Sequence, residues 1–306
     1  MPVNTKAIKT RIKSVKNTKK ITKAMQMIAA VKMRKAVESA IQMRSYANLA
    51  YELLDNLAKQ KISHPLMLDQ SVSKTLIMMV TSNRGLCGSY NANVAKTANQ
   101  ILQAESNQPD ILALGKKSAA FAKRNKLNLL GVYERFSENV SFEDVIPIAV
   151  DIMNRFKAGE YGKVEMVYTN YVSGLLQIVE HKQVLPLKPN VIKEMVDDIT
   201  TTSINSGKEF NDNPDRFTAD EYAFEPNRTV LIEYLIPLLV EVQIYHSILE
   251  SAASEHSSRM MAMKNATESA GEMIDNLTLI FNKGRQAAIT QEIAEITSGA
   301  NALEQD

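Results

Sequence analysis

The chain has 306 residues, with 36 Lys or Arg against 34 Asp or Glu, a formal net charge of +2, a single cysteine and no Trp. That size accommodates one or two domains; the lone Cys87 excludes an internal disulfide and fits a reducing compartment. No apolar run reaches the roughly 18 residues of a membrane span, because Glu233, Pro237 and Glu241 interrupt the richest one, and the basic start lacks the apolar region of a secretory signal.

Taken in chain order, residues 1–58 read as one long helix. Alternating steps of three and four join Ile8, Ile12, Val15, Lys19, Thr22, Gln26, Ala29, Met33, Ala36, Ala40, Met43, Ala47, Ala50, Leu54 and Leu57, the seam that two wound helices require. Residues 59–74, with His64-Pro65, form a connector. A central α/β domain is expected over 75–200. Thr75–Thr81 reads as a buried strand, followed by a turn-rich loop over 82–89 and a helix from Tyr90 to Glu105. A second strand spans Ile111–Leu114, a helix Lys116–Asn125 and a third strand Leu129–Arg135. Residues 142–158 form a helix that Pro147 should kink. Lys163–Tyr171 and Leu175–Leu185 pair as strands. Alternating strands and helices predict a mostly parallel, Rossmann-like sheet covered by helices. Residues 201–225 form a polar connector. A closing helix over 226–306 carries a second seam through Val242, Tyr245, Leu249, Ala252, His256, Arg259, Met263, Ala266, Ala270, Met273, Leu277, Ile280, Gly284 and Ala287, with Pro237 bending its base. The two terminal helices most simply pair with each other as an antiparallel coiled coil.

The residues show no convincing catalytic constellation. Gly115-Lys116-Lys117-Ser118 lacks the spacing of a phosphate-binding P-loop, and the dinucleotide fingerprint is missing. The loop containing Arg84, Gly85, Cys87 and Gly88 lies where doubly wound sheets often bind phosphate, yet its composition favours a structural or docking loop. Cys87 has no base linked to it in sequence: His64 lies in a connector and His181 near a strand end. Four scattered histidines give no metal spacing, so no metal or cofactor is expected. Residues 1–37 carry eleven Lys or Arg and no acid before Glu38. Nucleic acid is poorly supported as the partner of this basic arm, because no aromatic side chain occurs in residues 1–45. Lipid is disfavoured because the apolar stripe is already used by the second helix. An acidic protein surface remains. Polar seam positions such as Lys19, Thr22, Gln26, His256 and Arg259 suggest contacts beyond the two helices or register-fixing pairs. On the residues alone, a free-standing coiled-coil adaptor with an α/β recognition domain is a competing reading, as is a nucleotide-binding enzyme using the Gly85–Gly88 loop.

Four stretches, in order, resemble the gamma subunit of F-type ATP synthases. They are Asn17–Met25, Thr81–Gly88, Glu255–Thr267 continuing through Asn282–Ala288, and Ile289-Thr290-Gln291-Glu292-Ile293-Ala294-Glu295-Ile296-Thr297-Ser298-Gly299-Ala300. The resemblance implies the central shaft of a proton-driven rotary engine, without a catalytic site or cofactor of its own. It implies alpha and beta subunits, epsilon and the membrane c-ring as partners, and peripheral attachment at the cytoplasmic face of a bacterial inner membrane. Residue by residue, it implies that Lys20, Lys23 and Met25 slide past an acidic loop on beta. It further implies that Arg259, Arg285, Gln286, Thr290 and Glu292 engage beta or support that contact, and that 288–300 turn in the upper bearing. Chloroplast members carry a cysteine pair for thiol switching, which a single cysteine does not supply.

Overall fold

A computed structural model describes residues 4–58, 64–104, 107–134, 136, 140–188 and 228–303. Two compact units form, one from Met1–Ile28 with Met260–Asp306, the other from Ala29–Arg259. Helices α1 (Thr5–Ala58) and α5 (Arg228–Leu303) contribute to both. The expected connector over 201–225 lies outside the described residues, as do the side chains of Ala47, Ala50, Leu54 and Leu57 in the first seam.

The larger unit is built on a five-stranded sheet in the order β3-β2-β1-β4-β5, comprising β1 (Thr75–Val80), β2 (Asp110–Leu114), β3 (Leu129–Tyr133), β4 (Lys163–Tyr171) and β5 (Gln177–Leu185). The first four are parallel and β5 runs antiparallel to β4. Every residue of β1 and β2 is buried, which is what unbroken apolar runs demand of a sheet covered on both faces. One face, with Ile77, Met79, Ile111 and Val167, packs with α2 (Tyr90–Ala104) and α3 (Lys116–Arg124) through Val94, Ala98, Phe121 and Ala122. The other face, with Leu76, Met78, Leu112 and Met166, packs with Ile148, Ile152 and Phe156 of α4 (Phe142–Lys157), and with Ile236 to Ala253 of α5 and Ala40 of α1. The expected Rossmann-like domain is therefore present, with its second covering layer supplied by α4 together with the two terminal helices.

Local chemistry sets the element ends. Ser141 and Asp144 cap α4 reciprocally. His64 caps a short 3-10 turn, Pro65–Met67, by accepting the Leu66 amide at 3.2 Å. Pro147 and Pro237 both sit inside helices that continue through them. Strand β5 begins two residues later than expected, because Leu175 and Leu176 donate their amides to Ser173 Oγ in a turn.

In the smaller unit, Thr267 Oγ1 donates to Thr22 Oγ1 at 2.8 Å, and the end of Lys19 lies over Gly271. A lower number on α1 thus meets a higher one on α5, and the pairing is antiparallel, as expected. Ile8, Ile12, Val15 and Gln26 are half-buried and Thr22 is buried, whereas Lys19 is exposed. On α5 the seam departs from expectation. It runs through Met263, Thr267, Ala270, Ile274, Leu277, Phe281 and Gly284, while Met273 and Ile280 are each 45% exposed. Apolar residues occupy both 273/274 and 280/281, so periodicity does not choose between steps of three and four; the Thr22 contact and the bulk of Phe281 do. Extending the same register places Thr5 opposite about residue 285, so the last ~18 residues of α5 project some 27 Å past α1 at about 1.5 Å per residue.

Candidate functional site

Beyond Val80 the chain makes the loop singled out in the sequence. The Thr81 amide donates to Leu114 O at 2.8 Å, continuing the sheet by one bond. Ser82 Oγ donates to Arg84 O at 2.6 Å, and the Ser82 amide donates to Asn91 Oδ1 at 3.1 Å. Asn91 Nδ2 donates to Cys87 Sγ at 3.1 Å, and the thiol is buried, 2% exposed. Gly88 and Leu86 are both left-handed, with φ +57° and +63°. For a branched side chain such as leucine this is a strained backbone, and Leu86 is 62% exposed.

Arg259 on α5 closes the loop from outside. Its Nη1 donates to Glu255 Oε1 at 2.7 Å and lies 3.2 Å from His256 Nδ1. Its Nη2 reaches the Arg84 and Gly85 carbonyl oxygens at 3.4 and 3.5 Å. The sequence alone separates Arg259, as a partner contact, from Arg84, Gly85, Cys87 and Gly88, as a docking loop. In the structure they are one assembly, and the Arg259 side chain is 12% exposed.

The nearby phosphate-cradle position is occupied. The first three amides of α3, normally available to an anion, are taken by Asn83 Oδ1 (Lys116, 3.0 Å), Ser82 O (Lys117, 3.2 Å) and Thr81 Oγ1 (Ser118, 2.7 Å). Gly115 permits this: a Cβ there would lie 2.1 Å from Thr81 O. The crevice between β1 and β4, where doubly wound sheets switch direction and bind ligands, is filled by α5. Pairing of β1 with β4 ends at Val167, and the Thr169 amide and carbonyl beyond it meet Ser251 Oγ at 3.3 Å and Ser254 Oγ at 3.1 Å. Ser251 Oγ also lies 2.7 Å from the Tyr90 hydroxyl, whose pKa burial and the Glu255 charge push up.

The remaining expected site residues lie in the smaller unit. Lys20 and Lys23 are exposed and Met25 is half-buried; Lys23 Nζ donates to Gln26 Oε1 at 3.3 Å. Lys9, Lys13 and Lys16 extend the same basic groove. Arg285, Gln286, Thr290 and Glu292 are exposed on the projecting end of α5, where Thr290 Oγ1 bonds Gln286 O at 2.9 Å. Ile289, Ile293 and Ile296 lie beside them with their apolar surface in the open. The register that pairs Thr22 with Thr267 keeps the two sets apart, by about 15 residues or ~22 Å along the axis.

Two polar clusters escaped the sequence reading. Glu165 on β4 is buried and bonds His181 Nε2 at 2.6 Å and Lys163; His181 lies within β5 opposite Val167, not near a strand end. Burial pushes the Glu165 carboxyl up, but His181 and Lys163 outweigh it and hold it below the usual range. On the other face Glu180 joins Tyr168 (3.0 Å), Asn170 and Lys182 (2.6 Å). Only the cross-strand register brings these partners together, and the one advance signal is a charged residue at an inward position of a strand.

Comparison with known proteins agrees with this geometry. The profile of a family described as ATP synthase matches residues 4–303. The ATP synthase gamma chain of Geobacter sp. (strain M21) is 37% identical over 305 residues, covering 98% of this chain and 99% of that one. The gamma chain of Heliobacterium modesticaldum is 39% identical over 298 residues, covering 97% and 98%. Among solved structures, the central stalk/c-ring of Tetrahymena thermophila mitochondrial ATP synthase aligns with a TM-score of 0.54 at 25% identity, covering 80% of this chain and 99% of that one. The rotor of Euglena gracilis mitochondrial ATP synthase shares the fold, with a TM-score of 0.59 at 18% identity over 93% and 98% of the chains. With the paired terminal helices, the covered sheet and full-length likeness agreeing, the chain belongs to the ATP synthase gamma-chain family.

Proposed function

We propose that this chain is the central rotor shaft of a proton-driven rotary ATP synthase, coupling rotation of a membrane c-ring to conformational change at catalytic beta subunits. What supports this reading is the antiparallel pairing of the two chain ends, joined at Thr22 and Thr267, in a chain whose whole length belongs to the gamma-chain family. A single shaft inside a ring of three equivalent sites cannot touch all three alike. Differential contact then sets which site is open, loose or tight. In this reading the ends (1–58 and 226–306) form the axle and the α/β part (75–200) docks with epsilon and the c-ring. Alpha and beta subunits surround the axle, and the complex sits peripherally at the cytoplasmic face of a bacterial inner membrane. The basic groove from Lys9 to Lys23, with Met25, faces acidic protein surface on beta; Arg285, Gln286, Thr290 and Glu292 engage beta near the tip.

A rigid axle need not open in order to turn. A disulfide between Thr22→Cys and Thr267→Cys is therefore expected to form readily and to leave ATP synthesis in membrane vesicles intact. Synthesis that stops on oxidation and returns on reduction would show that the helices must part, and the axle reading would fail.

A further inference from the structure

We infer that the hydroxyl pair Thr22 and Thr267 is a phase lock. It chooses between two seats that α5 can take on α1, and so fixes the angle about the helix axis at which Arg285, Gln286, Thr290 and Glu292 are presented. The functional half of this inference rests on the shaft reading. Two seats exist because the seam of α5 is duplicated. Met263, Ala270, Leu277 and Gly284 serve either one. Between them Ile274 and Phe281 are half-buried, while their neighbours Met273 and Ile280 lie at the rim, each 45% exposed. Exchanging Ile274 for Met273 and Phe281 for Ile280 replaces one large apolar side chain by another, so burial alone discriminates weakly.

The two seats differ by a roll of the helix. Residues step by about 100° around an α-helix, so replacing each four-residue step by a three-residue step, with the shared positions kept in contact, turns the buried face by about 50°. Coiled coils already absorb twist on this scale. The drift between a straight helix and a wound seam, ~20° per heptad, comes to ~60° over the length from Met263 to Gly284. At the helix surface, ~5 Å from the axis, such a roll carries a side chain about 5 Å sideways, enough to break a hydrogen bond to a fixed neighbour. Polar chemistry separates the seats. In the observed one both threonines are buried, with their Oγ1 atoms 2.8 Å apart. Each hydroxyl also reaches a carbonyl of its own helix, Lys19 O at 3.1 Å and Met263 O at 2.7 Å. In the rolled seat Ala266 takes the place of Thr267, and Thr22 faces a methyl. One polar pair in an apolar seam specifies register in this way.

The pairing that joins Thr22 to Thr267 also brings Val15 opposite Ile274, each seven residues along its helix in opposite directions. Val15→Cys with Ile274→Cys therefore reports the observed seat, and Val15→Cys with Met273→Cys the rolled one. Both are read as rates of disulfide closure in the full chain, whose own thiol is buried. The 15–274 pair is expected to close faster. Adding Thr22→Val should slow it and speed the 15–273 pair, whereas Thr22→Ser should keep the parental order. In the complex assembled in membrane vesicles, Thr22→Val should lower ATP synthesis and Thr22→Ser should not. Closure rates indifferent to Thr22→Val overturn the lock. Shifted rates with parent-level synthesis overturn its role in presenting the tip. A parent chain that assembles yet supports no synthesis overturns the shaft reading, and the closure rates still decide the lock.

Discussion

Glu165 and Glu180 occupy adjacent strands but opposite faces of the sheet, and each gathers cations and hydrogen-bond donors from across the β4–β5 pair. Since β5 is an edge strand, the two clusters clamp it from both sides. The sign of the pH effect follows from Glu165. Its folded carboxyl releases its proton more readily than the unfolded group at 4.5. Its contribution is therefore fully present above that value and lost as pH falls through the lower folded pKa. Glu165→Gln should lower the thermal midpoint at neutral pH, and the gap from the parent should narrow in acid. A gap that is constant with pH would remove the ion pair from the account. The charged inward position was visible in the sequence, but its partners were not, because His181 meets it only through a strand register that pattern alone does not set. Gly115 was read only as part of a failed P-loop; its real demand, a 2.1 Å clash for any Cβ against Thr81 O at φ +116°, belongs to a contact 34 residues away in sequence.

At the scale of elements, helix α5 substitutes for a strand. Its serines at 251 and 254 satisfy the Thr169 backbone where β1 no longer reaches, and Ser257 Oγ donates to Gly174 O at 2.8 Å farther along. Ser254→Ala would leave a buried carbonyl without that donor, at a cost of about 1–3 kcal/mol; urea unfolding of the isolated chain would measure it. A loss under a few tenths of a kcal/mol would mean that another donor replaces the serine. The serine spacing was plain in the sequence, yet serines on a helix read as solvated surface unless the sheet behind them is known. The coiled-coil seam was half legible for a different reason. Met263, Ala270, Leu277 and Gly284 are common to the expected and observed seams, while the alternate positions slip by one because two adjacent apolar residues compete at 273/274 and 280/281, and at 266/267 the bond to Thr22 selects Thr267 over Ala266. Thr22, read as a polar fault or a register pin, is the pin.

For the whole molecule, the sequence motifs carried more than periodicity did. Heptads and strand runs reached a coiled coil with an α/β domain, but only the particular residues from Asn17 to Met25 and from Ile289 to Ala300 pointed to a family. The contact residues expected near the tip of α5 are exposed and make few bonds within the chain, so they can be altered without disturbing the fold. Replacing Arg285 and Gln286 together by Ala should leave the unfolding free energy within about 0.5 kcal/mol of the parent, as for surface changes generally, while impairing ATP synthesis in membrane vesicles. Unchanged synthesis would remove these two side chains from the coupling path. One buried atom has a practical use. The single thiol of this chain, Cys87, is covered and bonded to Asn91. A cysteine engineered on any exposed helix position would therefore take a maleimide fluorophore almost alone, and the parent could serve as its own unlabelled blank for single-molecule spectroscopy.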